Sequence, residues 1–400
     1  MIISILGTSG SKIDKQTCLP IKIKKAKKAF YNARILNKIS KYNYNSTEFL
    51  LNSYNDNFIL IGTKCAITFQ KELLKDSLQN KNVKFIEISD NDLDEVFEVI
   101  FKLLKDYKED IVLDITHGFR HQPIMAIFAS SLLQFLDRKN LKIVFAKEIE
   151  SYKNYEYVYL DDYIEITHIS MLLSSFIRTL NFIPLKNLKL IDVRVFENFS
   201  KSLFSNDILG VKNNFKKLSK ELENIKSNKE LKYLNHLIEK IELTLKDLKN
   251  IENLPLYKQY MLLSNITLDK NSLIVALAYS FESLREYCSS KFEPLLEAKN
   301  IRFKSSYNKN MDVMATISNF IPNNKPNKIQ QKYPKLYEKN RNIFKSVDSI
   351  YQELRVLRND LAHINQTKEF NNIKQDIQRL NFKIEALYKD DPLKAIIWHK

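Results

Sequence analysis

Short apolar runs rich in Ile, Val and Phe recur through the first part of the chain: Ile2 to Leu6, Phe58 to Ile61, Val83 to Ile88, Ile111 to Ile115 and Leu141 to Phe145. Each has the length of a strand, and their near-continuous hydrophobicity predicts a parallel sheet buried on both faces. A helical stripe of Leu93, Val96, Phe97, Ile100, Phe101 and Leu104 follows the third run. It is entered through Ser89-Asp90-Asn91-Asp92, which supplies cap residues and first-turn carboxylates. Alternating strand and helix implies βαβ units and a doubly wound α/β domain of three layers, with ligands bound beyond the carboxyl ends of the strands. Tyr155 to Ile166, with Asp161-Asp162 inside it, is expected to close this domain as a hairpin or edge pair. Lys22 to Lys28 reads as the exposed face of a helix whose inward residues are Ile21, Ile23, Ala26 and Phe30.

After about Ile166 the alternation gives way to helical patterns separated by polar stretches such as Ser227-Asn228-Lys229. Val347, Ile350, Leu354, Leu357, Leu361 and Ile364 recur at spacings of three and four, which predicts an amphipathic helix with one buried seam. Leu273, Ile274, Leu277, Phe281 and Leu284 form a second stripe expected to pack against it, with Glu282 and Arg285 as a surface ion pair. The second half therefore reads as all-α, divided into a helical linker or dimerisation region at 166–270 and a final domain at 271–400, after a first domain at 1–165.

Composition narrows the picture. Only 5 glycines occur in 400 residues, where an average usage of ~7% gives roughly 28, which argues against loop-rich all-β folds. The formal net charge is +16, a value that favours an anionic partner such as a nucleotide or nucleic acid. Residues 1–160 carry 24 basic and 19 acidic side chains and residues 161–400 carry 39 and 28, so the excess leans toward the helical half. Residues 301–345 are basic and interleaved with Tyr307, Tyr333 and Tyr337, a pattern that fits either a solvated loop or a guide for single-stranded RNA. Cys18, Cys65 and Cys288 are far apart and in no metal-ligand spacing, so neither a disulfide framework nor a zinc site is expected, and a reducing cytoplasm fits best. No apolar segment approaches the ~20 residues of a membrane span, and the opening residues lack the features of a signal peptide.

Four of the five glycines, Gly7, Gly10, Gly62 and Gly118, fall at the carboxyl ends of expected strands. Glycine ends many strands, but these turns come together with Lys64, Arg120 and small hydroxyls. They predict a phosphate-friendly rim formed by Gly7-Thr8-Ser9-Gly10, Gly62-Thr63-Lys64 and Thr116-His117-Gly118-Phe119-Arg120. Neither GxGxxG nor GxxxxGK[ST] occurs, so a nucleotide would be held by other means. His117 is placed between a hydroxyl and a glycine, just before a helix beginning near His121-Gln122-Pro123, where the helix dipole favours an anion.

The segment Asp114-Ile115-Thr116-His117-Gly118-Phe119-Arg120 after a strand, with an N-terminal strand running into Gly7-Thr8-Ser9-Gly10, resembles the DxTHG-motif CRISPR-associated proteins. Their N-terminal CARF domain is a Rossmann-like sensor. The resemblance covers about residues 1 to 165 and implies two such domains binding a cyclic oligoadenylate, with cyclic tetra-adenylate the expected ring, across a two-fold axis as an allosteric activator. By position, Thr8, Ser9, Gly10, Thr116, His117, Gly118, Phe119 and Arg120 would contact that ring, and the chemistry of the rim adds Lys64.

Arg358-Asn359-Asp360-Leu361-Ala362-His363 lies on the predicted seam helix. Five steps at 100° place Arg358 and His363 about 140° apart and ~7.5 Å along the axis, so a reaching Arg, a loosened helix end or a second copy must bring them together. The spacing, with a polar residue directly after the Arg, resembles the R-x4-6-H motif of HEPN ribonucleases. That resemblance implies a composite RNA-cleaving site in a homodimer or higher even-numbered oligomer, with no metal. His363 would exchange a proton with the 2′-OH or the leaving 5′-oxygen, Arg358 would offset charge on the scissile phosphate, Asn359 would orient it, and Asp360 would hold Arg358 or His363. DNA, which lacks the 2′-OH, would be spared. Two alternatives stay open: a sensor domain that itself cleaves the cyclic messenger, and a regulator without catalysis.

Overall fold

The apolar runs fold as strands of one sheet. The computed structural model describes residues 1–8, 14, 16–18, 27–134, 141–183, 188–321, 325–362 and 369–397. The chain divides into two units, Met1–His168 with Leu185–Leu190, and Ile169–Pro184 with Ile191–Lys400.

In the first unit the strands are β1 (Ile2–Ile5), β2 (Ala29–Asn32), β3 (Lys41–Asn43), β4 (Phe58–Gly62), β5 (Val83–Glu87), β6 (Ile111–Asp114), β7 (Leu141–Glu150) and β8 (Asn154–Tyr159). The helices are α1 (Ser46–Ser53), α2 (Lys64–Leu73), α3 (Leu93–Asp106) and α4 (His121–Gln134), and α5 (Asp161–Thr179) follows the last strand. Sheet order is β3-β2-β8-β7-β6-β1-β4-β5, and the five strands from β7 to β5 run parallel. Side chains alternate faces as the two-residue period of a strand requires. Ile3, Ile5, Ile59, Ile61 and Leu113 pack with Val96, Ile100 and Leu104 of α3 and Ala126 and Ala129 of α4. Ile2, Phe58 and Val144 meet Phe49, Leu50 and Leu51 of α1. The result is a Rossmann-like α/β domain followed by a helix-rich region.

Three expectations for this unit change. Phe30 belongs to strand β2, which pairs antiparallel with β3 and parallel with β8, rather than to the inner face of a helix; Ile21, Ile23 and Ala26 lie outside the described residues. The hairpin of β7 and β8 ends at Tyr159, and Asp161-Asp162 open α5 instead of lying within a strand. A helix N-terminus favours carboxylates in its first turn, and Asp161 also accepts the Ile143 N–H at 2.9 Å. Finally, Cys18 and Cys65 are joined by a disulfide, whereas Cys288 is free and buried. The turn at Asp14, whose carboxylate accepts the N–H groups of Gln16 and Thr17, is thereby tied to the start of α2, an approach that separation along the chain does not reveal.

In the second unit the helices after α5 are α6 (Val193–Phe204), α7 (Ile208–Ser227), α8 (Asn235–Thr244), α9 (Leu256–Asp269), α10 (Leu273–Ala298), α11 (Ser306–Ile317), α12 (Lys328–Lys332), α13 (Leu336–Lys339), α14 (Arg341–Ala362) and α15 (Phe370–Asp390). Leu277, Leu284, Cys288 and Phe292 of α10 pack with Phe344, Val347 and Leu354 of α14 and with Ile377, Leu380 and Ile384 of α15. A buried hydrogen-bonded trio, Ser264, Ser280 and Asn381, pins α9, α10 and α15 together. The α14 seam is buried from Val347 to Leu357; Ile364 lies outside the described residues. Ile274 departs from its predicted stripe and is 65% exposed. Within residues 301–345 the helices α11 to α13 contribute Val313, Ile329 and Leu336 to the core, so this stretch is not a solvated loop throughout. The Tyr333 hydroxyl donates to the Leu295 carbonyl, and Tyr337 packs against the same core.

Candidate functional site

The parallel strands reverse their direction of addition between β1 and β6. From β1 the chain adds β4 and β5 on one side, then returns to place β6 and β7 on the other. Such a switch point leaves a crevice at the carboxyl edge of the sheet. Gly7, after β1, and Gly118, after β6, meet there: a Cβ on Gly7 would lie 2.9 Å from the Gly118 nitrogen. Gly118 has φ +107°, and a Cβ there would meet Ile5 Cγ2 at 2.6 Å. Both a left-handed backbone and a close approach thus require glycine at 118.

Beneath these loops is a buried polar network. Asp114 is fully buried and accepts hydrogen bonds from Ser4 Oγ at 2.9 Å and Ser46 Oγ at 2.8 Å on one oxygen. Its other oxygen accepts the Thr116 N–H at 3.1 Å and the Thr116 hydroxyl. Thr116 Oγ1 accepts in turn from the Ala146 N–H at 2.9 Å. A buried carboxylate is tolerated when its lone pairs are filled in this way. Asn45, which caps α1, donates to Gln70, and Gln70 Nε2 donates to the Gly7 carbonyl at 2.6 Å. The motif's Asp and Thr therefore shape the two loops from below.

His117 Nε2 accepts the Ser46 N–H at the start of α1, 3.3 Å away. An acceptor nitrogen must be unprotonated, so the imidazole is neutral with its proton on Nδ1. Burial holds its pKa below the ordinary histidine value, against a smaller opposing pull from Asp114.

The outward edge is different in character. Phe119 is 48% exposed and stacks on the His121 ring at 6.1 Å; Arg120 beside it is exposed. Lys64 is exposed at the first position of α2, whose N-cap Thr63 accepts the Ala66 N–H, and Thr8 is partly buried after Gly7. Ser9 and Gly10 lie outside the described residues. Helices α2 and α4 both begin at this edge, so two N-terminal dipoles and two exposed cations serve it, an arrangement suited to an anionic ligand. Gln122 Oε1 accepts the Phe119 N–H, while among the described residues its buried Nε2 has no partner.

Residues 4–150 match the family model described as the CARF domain of the CRISPR system endoribonuclease Csx1. The first unit contains a CARF domain. Comparison with curated proteins found none that matches the chain. The match ends where the β7 strand does, so it takes in the loops of the crevice and nearly all of the five parallel strands of this CARF domain, but none of the helices from α5 onward.

The second candidate group lies on α14, outside the CARF domain. Arg358 and Asn359 are exposed, and the Arg358 guanidinium stands 5.2 Å from the Phe281 ring centroid of α10. Asp360 points elsewhere. It lines a groove of about 430 Å³ between α14 and α15, with Glu353, Asp376 and Arg379, and among the described residues no ion pair joins it to Arg358. Two steps along a helix turn a side chain by ~200°, which separates them. His363 lies outside the described residues. No helix among the described residues is long and apolar enough to cross a membrane.

Arg285 is not part of a surface pair. Its side chain is 4% exposed while that of its partner Glu282 is 38% exposed, at 2.7 Å. The signal was available: Arg285 lies four residues beyond Phe281 and eight beyond Leu277, a spacing that places it on the buried stripe. Ser4 carried a weaker signal, a polar residue inside an apolar strand.

Proposed function

We propose that the chain is a metal-independent single-stranded endoribonuclease of type III CRISPR antiviral defence, activated by cyclic oligoadenylate. The observation that carries this reading is the CARF match over residues 4–150, in a chain whose α14 also bears Arg358-Asn359 on an exposed face. The CARF crevice would take the messenger through its phosphates, with Arg120 and Lys64 as countercharges, the backbone around Gly118 in close approach, and the exposed Phe119 ring as a surface for an adenine. Thr8, Ser9 and Gly10 would complete the ring contact across a dimer axis.

The helical half would act as a HEPN-type nuclease whose site is completed by a second copy of the chain. RNA supplies its own nucleophile. His363 takes the proton from the 2′-OH or returns one to the leaving 5′-oxygen, and Arg358 stabilises the charge that builds on the scissile phosphate. The P–O5′ bond breaks as the 2′-oxygen bonds to phosphorus, leaving a 2′,3′-cyclic phosphate and a 5′-hydroxyl. Asn359, exposed beside Arg358, orients the phosphate. A cytoplasmic location follows from this role. Mapping the product ends of a labelled RNA cut in EDTA with cyclic tetra-adenylate tests the chemistry; 3′-hydroxyl ends would contradict it.

A further inference from the structure

Arg285 of α10 is an arginine buried with most of its hydrogen bonds unmade. Nη1 donates to Glu282, but among the described residues the buried Nε and Nη2 have no partner. Those two atoms form one edge of the guanidinium, the edge whose parallel N–H bonds match two oxygens of a carboxylate or phosphate. Buried donors of a charged group are rarely left empty, because their lost hydration goes uncompensated. The Phe281 and Tyr307 rings lie 5.5 Å and 5.3 Å from the guanidinium carbon. Phe281 is also the ring against which Arg358 stands, so two guanidinium groups share one aromatic support. The Tyr351 ring packs 5.2 Å from Phe281, and burial raises its hydroxyl pKa against the opposing pull of Arg285, Arg355 and Arg358.

We propose that Arg285 is a second phosphate-binding residue of the helical half, taking two oxygens of an RNA phosphodiester on its Nε–Nη2 edge beside the phosphate held by Arg358. The proposal rests on the ribonuclease reading above. A phosphodiester fits better than a protein carboxylate because Arg285 and Arg358 stand on the same Phe281 ring and, among the described residues, Glu282 is the carboxylate that pairs with either of them. Access requires a side chain to move. Tyr307, in the first turn of α11 and 63% exposed, is the one free to swing from the guanidinium, and its ring can then stack on a base.

The test uses the full-length protein, with cyclic tetra-adenylate present, and a fluorescent single-stranded RNA made uncleavable by 2′-O-methylation. Binding is read by anisotropy over a salt series, and folding by thermal melting. Arg285→Met keeps the apolar stem and removes the buried, half-satisfied charge; it is expected to melt no lower than the parent and to bind at least tenfold more weakly, with a salt slope smaller by ~0.7. Arg285→Lys keeps the charge without the fork and is also expected to lose affinity, with the slope retained. If Arg285→Met melts lower yet binds as the parent does, the arginine is a packing residue and the proposal falls. Should that variant not fold, parent-like affinity in Arg285→Lys overturns the proposal. A parent that neither binds nor cuts RNA sinks the ribonuclease reading itself and this proposal with it.

Discussion

The imidazole of His117 is held by the main-chain N–H of Ser46, the first residue of α1, so the histidine of the motif joins two loops of the sheet edge in its neutral form. Protonation would turn an acceptor into a donor facing another donor, at the positive end of a helix. The folded-state pKa of His117 is lowered, and burial lowers that of His168 as well. A lowered histidine pKa gives stability that is present above the unfolded value of about 6.5 and is lost as pH falls through it. The melting temperature should therefore be flat from pH 8 to 7 and decline between pH 6.5 and 5.5. His117→Gln, neutral throughout, should flatten that decline in part, His168 accounting for the remainder. An unchanged slope in the variant would show that His117 is already free of Ser46.

Gly118→Ala forces a side chain into a left-handed backbone and against Ile5. Strain and overpacking together should cost on the order of 3 kcal/mol. Urea unfolding of the two proteins measures it, and a loss under about 0.5 kcal/mol would mean the two loops do not meet as described.

Asp114→Asn leaves the strand geometry intact but exchanges an acceptor-only group for one with two donors, facing Ser4, Ser46 and Thr116. The Asn carbonyl oxygen can keep the Thr116 N–H and hydroxyl, but its amide then donates to Ser4 and Ser46, whose hydroxyls must turn to accept, and the charge-assisted bonds become neutral ones; a loss of about 1–2 kcal/mol is expected. The same variant should weaken cyclic tetra-adenylate binding in isothermal titration, because Thr116 and His117 are held less firmly.

Arg120→Ala addresses the outward edge alone. Arg120 is exposed, so stability should stay within about 0.5 kcal/mol of the parent. Activation of RNA cleavage by cyclic tetra-adenylate should be lost. Equal activation of variant and parent would remove Arg120 from the sensor site.

The parallel sheet was legible because each central strand is buried on both faces and, apart from Ser4 and Asp114, apolar. Strands β2 and β3 were not: Ala29-Phe30-Tyr31-Asn32 and Lys41-Tyr42-Asn43 are short, mixed in polarity and placed near the edge, where one face accepts polar residues. Glycine scarcity made the crevice visible, since Gly7 and Gly118 are present only where backbone meets backbone. The support beneath it was silent, because Ser4 and Ser46 acquire meaning only when the fold brings Asp114 to them across 110 and 68 positions. The Cys18–Cys65 link was hidden by the same long-range geometry. On α14 the periodicity predicted the buried seam, but helix rotation separates Asp360 from Arg358, so adjacency in sequence overstated their partnership.

The most direct test of the account removes His363 and follows RNA and messenger together. Parent and His363→Ala proteins are incubated in EDTA with a labelled single-stranded RNA, with and without labelled cyclic tetra-adenylate, and both pools are resolved on denaturing gels. The account predicts RNA cleavage by the parent only when the messenger is added, and none by His363→Ala, which should still bind the messenger. RNA left intact by the activated parent, or cut equally by His363→Ala, would contradict it, and ring opening without RNA cleavage would identify the CARF domain as the catalyst.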